Sequence, residues 1–370
     1  MTGGALAQPH PLDADLSRRI RICRVLGIFF VIVVHLQPTA EAIPGAPQLV
    51  EIIRYFLINV LGHASVPLLS IISGYLLLGS YGSRGYRDYL LHRFKILYVP
   101  MVAWNLIFAA AIISVDRAGF ATNSYERLIE TGAFNAIFAV WDAPINAPLY
   151  FLRDMFVISV FAPLLVRAIR IAPIFVLAVA GLLVWFNIGY PVIFRPITLF
   201  CFCAGLALRM YGTDLRVLDP RLLPLALASA AFWIFGTWLV FTGDVVENLF
   251  QATGWFDLAN RFVAIVLFWV ASAWIVTSLA LPIFEWMEKF VYFVFLSHKV
   301  VLLFLGGAFR VVFDGYASYW YIPLMAAAPF VCVLAAWAAL PAVRWFTPAI
   351  QRVLTGRTVP SDMRLPKLTG

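Results

Sequence analysis

Long apolar runs dominate the hydrophobic pattern of this sequence, and most approach the ~20 residues that a helix needs to cross a bilayer. Short polar segments separate ten such runs. The alternating ~10-residue strands of a membrane β-barrel are absent from the pattern. The sequence therefore predicts an all-α, polytopic integral membrane protein with about ten transmembrane helices. The ten predicted spans cover residues 22–38, 50–79, 91–114, 149–168, 172–187, 192–210, 222–243, 259–282, 290–310 and 319–343.

Composition supports this fold class. Hydrophobic residues make up 63% of the chain and charged residues 12%, and the mean hydropathy is +0.90. A soluble domain is about a quarter charged, so this chain lacks the polar surface of a water-exposed globule. The net charge of +8 is typical of basic loops at the cytoplasmic face, and no nucleic-acid partner is expected.

The distribution of basic residues predicts the orientation. With a cytoplasmic N-terminus, nineteen of the 27 Lys and Arg residues fall in inner segments and seven in outer ones, and Lys299 lies within a span. This bias predicts that both termini are cytoplasmic. The first apolar run lacks a following small-residue cleavage site, so it is predicted to be retained. Residues 1–350 form one predicted transmembrane domain, and residues 351–370 form a basic cytoplasmic tail.

Two ionisable residues in the first predicted span are eleven positions apart, Arg24 and His35. At about 100° per residue they lie within roughly 20° of one helix face and about 16 Å apart along its axis. Ionisable groups at membrane depth are costly and are often functional. Histidine is also well suited to proton transfer near neutral pH. The alternatives are a neutral histidine bonded inside the bundle and an arginine that anchors the helix at the interface.

Two further spans carry histidines. His63 precedes Pro67, which is expected to kink or break the second span, so that His63 either faces a cavity or is a structural partner. In the ninth span, His298 precedes Lys299, the one lysine deep within an apolar run. This lysine is expected to pair with another group or to face water.

Two polar groups outside these spans are candidate binding sites. The loop after the second span is rich in cations, which suits either an anion site for coenzyme phosphates or simple positive-inside bias. Arg153 and Asp154 open the fourth span beside aromatic residues, which suits a sugar site or an aromatic interface belt. The pair Cys201-x-Cys203 has no second cysteine pair or nearby histidine, so neither a metal site nor a disulfide is expected. The loop cations are Arg84, Arg87, His92, Arg93 and Lys95.

Four ordered motifs resemble the membrane-bound acyltransferase-3 superfamily, which includes bacterial exopolysaccharide and O-antigen O-acyltransferases. Leu68 and Leu69 stand where that family has two phenylalanines. The family's Arg-x-x-Arg element is represented by Arg84 and Arg87 or, nearer the third span, by Arg93 and Lys95. The four motifs are Arg24-x10-His35, Val66–Tyr75, Tyr150–Asp154 and Phe295–His298.

The resemblance implies transfer of an acetyl or succinyl group from cytoplasmic acyl-CoA to a hydroxyl of an exopolysaccharide or its lipid-linked precursor. It implies a multi-pass protein of the bacterial inner membrane, in contact with lipid and without a permanently bound cofactor. His35 is the expected general base. Coenzyme contacts are expected from Arg24, Arg84, Arg87, Arg93 and Lys95, and acceptor contacts from His63, Tyr150, Arg153, Asp154, His298 and Lys299.

Two other functions compete with this one. A transporter or flippase for a lipid-linked saccharide needs alternating access, usually internal repeats, and no acyl donor. A non-catalytic assembly partner tolerates loss of His35. The sequence leaves open the acyl group, the sugar hydroxyl, self-association and the formation of an acyl-enzyme.

Overall fold

The computed structural model describes residues 12–36, 43–82, 85–119, 123–242, 255–313 and 315–359, and the regular structure in these ranges is helical. The helices are α1 Ala14–Val34, α2 Gln48–Tyr81, α3 Tyr86–Arg117, α4 Asn123–Thr131, α5 Ala133–Phe138, α6 Tyr150–Val160, α7 Ala162–Ile171, α8 Pro173–Trp185, α9 Pro196–Met210, α10 Leu222–Thr242, α11 Trp255–Val276, α12 Leu281–Glu288, α13 Val291–Val312, α14 Tyr321–Val343 and α15 Pro348–Thr355.

Six helices in the described ranges are long and apolar enough to cross a membrane. A seventh is added if α6 and α7, which meet at a 67° bend, form one span. These helices confirm a multi-pass helical membrane protein. With 13 and 15 residues, α8 and α9 are shorter than a bilayer requires, so ten spans and cytoplasmic termini stay predictions.

Helix α1 begins at Ala14 rather than at the predicted residue 22, and it ends at Val34 rather than at residue 38. The residues before the predicted start include Arg19, whose charge has partners in the structure. Arg19 is buried, and its guanidinium donates to both carboxylate oxygens of Asp219 at 2.9 and 2.7 Å and lies 3.9 Å from the Trp269 ring centroid. A hydropathy profile treats each arginine as unpaired, so it places the helix start too late.

The described residues divide into two compact units, which we treat separately. The terminal unit comprises Ala14–Leu68 and Leu215–Pro341, and the central unit comprises Leu69–Asp214 and Ala342–Val359. In the terminal unit, Phe30 of α1 stacks on Phe268 of α11 with ring centroids 5.1 Å apart. This aromatic contact packs α1 against α11 in the core of the terminal unit.

Glycines permit close helix packing in the central unit. A Cβ atom on Gly74 would clash with the backbone of Phe202, and one on Gly205 would clash with the backbone of Ile71. Small residues of this kind let membrane helices approach closely. Helix α15 belongs to the same unit, because the indole Nε1 of Trp104 donates to the carbonyl of Leu354 at 2.8 Å. The predicted tail begins within this helix, and its residues 360–370 lie outside the described part.

Candidate active site

Helix α2 is distorted where Pro67 was predicted to disturb it. A π-helical turn covers Phe56–Leu61, and a 3₁₀ turn covers Gly62–Ala64. Proline donates no backbone hydrogen bond, so the carbonyl four residues earlier, that of His63, loses its usual helical partner. π-Helical turns are frequent at functional sites. In place of the predicted kink or break, the structure has a local distortion before Pro67, and Gln48–Tyr81 runs on as one helix.

Two contacts stabilise this distortion. The amide nitrogen of Asn260, on α11, donates to the carbonyls of Asn59 and Val60 at 3.0 and 3.3 Å. A Cβ atom on Gly62 would clash with Val34 of α1, so the absence of a side chain permits a close approach of the two helices. This approach involves the residues immediately before His63 and His35.

His63 forms a polar group with two residues of α11. Its Nδ1 lies 2.9 Å from Oδ1 of Asp257, whose Oδ2 accepts from the guanidinium of Arg261. An ionised carboxylate only accepts hydrogen bonds, so His63 donates from Nδ1. In the neutral ring, Nε2 then carries the lone pair. The side chains of His63 and Asp257 are 36% and 38% exposed, so the group is accessible.

His35 follows directly on the last residue of α1. Its Nδ1 lies 2.7 Å from the carbonyl oxygen of Val31, four residues earlier. A carbonyl accepts only, so Nδ1 carries the proton and Nε2 is the acceptor nitrogen of the neutral imidazole. The hydrogen bond thus fixes the tautomer in which Nε2 can remove a proton.

His298, on α13, packs against His35. The two ring centroids are 5.6 Å apart and the ring planes meet at 68°. Nδ1 of His298 lies 2.8 Å from the carbonyl oxygen of Phe295, so this ring also presents Nε2 as its acceptor. The side chain is 0% exposed, and Nε2 has no hydrogen-bond partner among the described residues. A buried polar atom without a partner is rare and calls for an explanation.

Lys299 and His63 complete this group. Both interact electrostatically with His35, and Lys299 also interacts with His298. We call His35, His63, His298 and Lys299 the histidine cluster. All four lie in the terminal unit and come from three separate helical segments. The structure therefore brings together four of the residues that the sequence predicted to be functional.

Arg24 lies at the middle of α1, ten residues from each end of the helix. Its guanidinium forms an ion pair with Glu288 of α12 at 3.1 Å, and the two side chains are 35% and 18% exposed. Glu288 was not predicted as a partner. The exposed part of Arg24 leaves room for an anion, while the ion pair alone also accounts for its position. Coenzyme binding by Arg24 stays a prediction.

The other predicted coenzyme residues belong to the central unit. Arg87 and Lys95 are exposed, whereas Arg93 is half-buried and its Nε donates to the Ser159 hydroxyl at 3.1 Å. Arg84 lies outside the described residues. The exposed cations are the ones available to phosphate groups, and their role stays a prediction.

Arg153 and Asp154, at the start of α6, form what we call the arginine clamp. The guanidinium of Arg153 pairs with Asp154 at 3.4 Å and stacks 4.1 Å from the Phe194 ring centroid. It also donates to four backbone carbonyls. Asp154, which is 0% exposed, accepts from the backbone amides of Phe194 and Arg195, each at 3.1 Å. The four carbonyls belong to Ala139, Val140, Pro191 and Val192.

The contacts of the arginine clamp indicate a structural role. Both side chains are buried, and their hydrogen bonds hold residues 139–140 and 191–195 against α6. Tyr150, one turn earlier, is half-buried. Sugar binding by Tyr150, Arg153 and Asp154 stays a prediction, and the described geometry favours a structural role for the last two.

Sequence reasoning missed Asp257, Asn260 and Arg261. Their spacing of three and four residues places them on one face of α11, where all three contact or support the segment around His63. A signal was present, because Asp257 and Arg261 are charged residues at the start of an apolar run. Asp257 precedes the predicted span 259–282 and Arg261 lies at its start, and their spacing alone does not predict a pairing with His63.

The fold and the histidine cluster define a multi-pass helical membrane protein with polar chemistry inside its helix bundle. A family model described as an acyltransferase domain matches residues 18–346, so the chain belongs to the acyltransferase-3 family. The chain is also 26% identical, over 364 residues and 93% of each sequence, to the succinoglycan biosynthesis protein ExoH of Rhizobium meliloti (strain 1021). No solved structure matches the chain. These findings confirm the resemblance to acyltransferases.

Proposed function

We propose that this protein transfers an acetyl or succinyl group from cytoplasmic acyl-CoA to a hydroxyl of a bacterial exopolysaccharide or its lipid-linked precursor. It does so in the inner membrane, with ten spans and cytoplasmic termini. The observation that carries the proposal is His35, whose bond to the Val31 carbonyl leaves Nε2 as a proton acceptor. Family membership supports acyl transfer, and the relative's name supports a polysaccharide acceptor.

His35 is the general base in this mechanism. Its Nε2 takes the proton of the acceptor hydroxyl while the hydroxyl oxygen attacks the thioester carbonyl carbon. The carbon–sulfur bond then breaks, and the coenzyme thiolate leaves. The imidazolium returns its proton to this thiolate, so that the products are the sugar ester and coenzyme A and the histidine is regenerated.

The neighbours of His35 suit this chemistry. The Nδ1 hydrogen bond holds the ring in one tautomer throughout, because the Val31 carbonyl only accepts. Lys299 supplies a positive charge close enough to act on the His35 ring. This charge repels the imidazolium, and in our proposal it also stabilises the oxyanion that forms at the thioester carbon. His298 packs against the ring and limits its movement.

Cations hold the nucleotide phosphates of the donor in our proposal. In the terminal unit we propose Arg24 as the phosphate contact, and phosphate binding competes with Glu288 for its guanidinium. For the central unit we propose separately that the exposed Arg87 and Lys95, with Arg93 and Arg84, bind phosphate groups. Arginine and lysine at an accessible surface are typical phosphate ligands.

Membership of an acyltransferase family favours this activity over transport of a lipid-linked saccharide. Both can be tested in a strain that lacks the gene. We expect its exopolysaccharide to be secreted in normal amount but to lack one acyl substituent, which mass analysis identifies as acetyl or succinyl. Reintroducing the gene restores the substituent. Loss of secretion with unchanged acylation of the residual polymer would favour transport instead.

A further inference from the structure

His63, a second histidine of the cluster, is oriented by hydrogen bonds and has an accessible ring. His63 donates from Nδ1 to Asp257 at 2.9 Å, and Arg261 holds the other carboxylate oxygen. Histidines oriented in this way present a fixed Nε2 acceptor, because the carboxylate determines which nitrogen carries the proton. No described residue partners Nε2 of His63, and the side chain is 36% exposed.

We propose that Nε2 of His63, oriented by Asp257 and Arg261, accepts a hydrogen bond from a hydroxyl group of the sugar acceptor and so positions it for acylation. This inference rests on the proposed acyl transfer. His63 is a binding and positioning residue here, whereas His35 remains the base. Sugars are rich in hydroxyl donors, which a neutral imidazole nitrogen accepts without a charge change.

A purely structural role explains these contacts less well. Arg261 also pairs with the Asp257 carboxylate from the same helix, four residues away, so this carboxylate keeps a cationic partner when His63 is replaced. Asn260 already donates to two carbonyls of the π-helical turn, those of Asn59 and Val60. A hydrogen bond as accessible as the one between His63 and Asp257 contributes little to stability. The accessible position of the ring is what a ligand requires.

Arg261 makes the orientation testable through the substitution Asp257→Asn. An arginine only donates, so the new amide must turn its oxygen toward Arg261 and its NH₂ group toward His63. Nδ1 of His63 then has to accept, and the ring proton moves to Nε2. The variant therefore inverts the tautomer of His63 at constant side-chain volume.

The two isosteric replacements of His63 separate binding from structure. In His63→Asn, the amide nitrogen takes the place of Nδ1 and keeps the hydrogen bond to Asp257, but no acceptor stands at Nε2. In His63→Gln, the amide reaches the Nε2 position and its oxygen accepts there. If His63 recognises a hydroxyl group, the His63→Gln variant should retain more activity than His63→Asn. If the role of His63 is structural, His63→Asn should retain more activity than His63→Gln.

The experiment uses the full chain in membrane vesicles, with acyl-CoA as donor and exopolysaccharide from a strain lacking the gene as acceptor. We expect His63→Asn and Asp257→Asn to raise KM for the polysaccharide by about tenfold or more, with KM for acyl-CoA within about twofold of wild type. His63→Gln recovers part of the loss. Glu285→Gln, which removes a carboxylate paired with Arg18 and Arg21, is the control and leaves both constants unchanged.

The outcomes that contradict the inference are distinct. An unchanged KM for the polysaccharide in His63→Asn overturns the role of His63. A lower KM for the polysaccharide in His63→Asn than in His63→Gln overturns it as well. In both cases acylation by the wild-type protein still upholds the proposed function. An equal rise of both KM values also overturns the role of His63. A wild-type protein that acylates nothing overturns the proposed function and the inference together.

Discussion

The histidine cluster and the arginine clamp both place ionisable side chains among apolar helices, yet their hydrogen bonding differs. In the clamp, Arg153 and Asp154 direct their polar atoms to each other and to backbone groups of two loop segments. In the cluster, His298 keeps a buried Nε2 without a partner in the described residues, and His35 presents an acceptor nitrogen. Burial of a charge therefore does not identify a functional site, because proton transfer also requires an acceptor atom that the protein's own hydrogen bonds leave available.

The difference follows from what each group must do. A buried ion pair is tolerated only when hydrogen bonds satisfy its remaining atoms, and the clamp meets that condition. A group that exchanges protons with a substrate needs a free acceptor, and neutral histidine provides one at lower cost than a charged residue. Substitutions in the two regions should therefore have opposite effects on activity and on stability.

The largest effect is expected from His35→Gln. It removes the acceptor nitrogen while an amide of similar size fills the space, so acyl transfer should fall by about 10²–10⁴-fold. The free energy of unfolding should change little, because His35 bonds only to a carbonyl of its own helix among the described residues. Transfer rates in vesicles, compared with the melting temperature of purified protein, test both parts.

The clamp should behave in the opposite way. Arg153→Ala leaves the Asp154 carboxylate buried without its cation and frees several carbonyls, which is expected to cost about 3–5 kcal/mol of folding free energy. Transfer activity per folded molecule should remain near that of wild type. The yield of folded protein and its specific activity measure these effects. Normal stability with lost acceptor binding would make the clamp a sugar site.

His298→Phe should separate the effect on stability from the effect on activity within the histidine cluster. The substitution removes a buried nitrogen that has no described partner, so stability should stay constant or rise slightly. The transfer rate should fall by about tenfold, because His35 loses its polar neighbour. Thermal unfolding and initial rates are the measurements. A clear loss of stability without a change in rate would place His298 with the structural residues.

The smallest effect concerns Arg24. Arg24→Gln should raise KM for acyl-CoA about three- to tenfold, since one phosphate contact is lost. The matched variant Glu288→Gln breaks the same ion pair but keeps the cation, so its KM should be unchanged or lower. Neither change should alter stability by more than about 1 kcal/mol, because the pair is partly exposed. Identical behaviour of the two variants would assign Arg24 to helix packing.

Sequence reasoning captured features that depend on local chemistry. The apolar runs predicted a helical membrane protein, and Pro67 predicted a disturbed helix at His63. Four short motifs in order, of which Arg24-x10-His35 is the first, led to the correct family. Each of these signals lies within a short stretch of chain, where helix geometry and side-chain type determine the outcome.

Features that depend on distant partners were not predicted. Asp257 and His63 are 194 positions apart, and Arg19 and Asp219 are 200 apart. Neither pairing follows from spacing, since only the packed helices bring the residues together. Arg153 is a further example. Its aromatic neighbours in sequence suggest a sugar site, but the carbonyls that accept from it belong to other parts of the chain and do not follow from its position.

The most direct test of the account follows a labelled acyl group. Vesicles that contain wild-type protein or the His35→Gln variant at equal amounts are supplied with radiolabelled acetyl-CoA or succinyl-CoA and unacylated exopolysaccharide. We predict that label from one of the two donors enters the polysaccharide with wild-type protein and stays at background with His35→Gln. Equal incorporation by the two proteins would contradict the role of His35, and no incorporation by either would contradict acyl-CoA-dependent transfer itself.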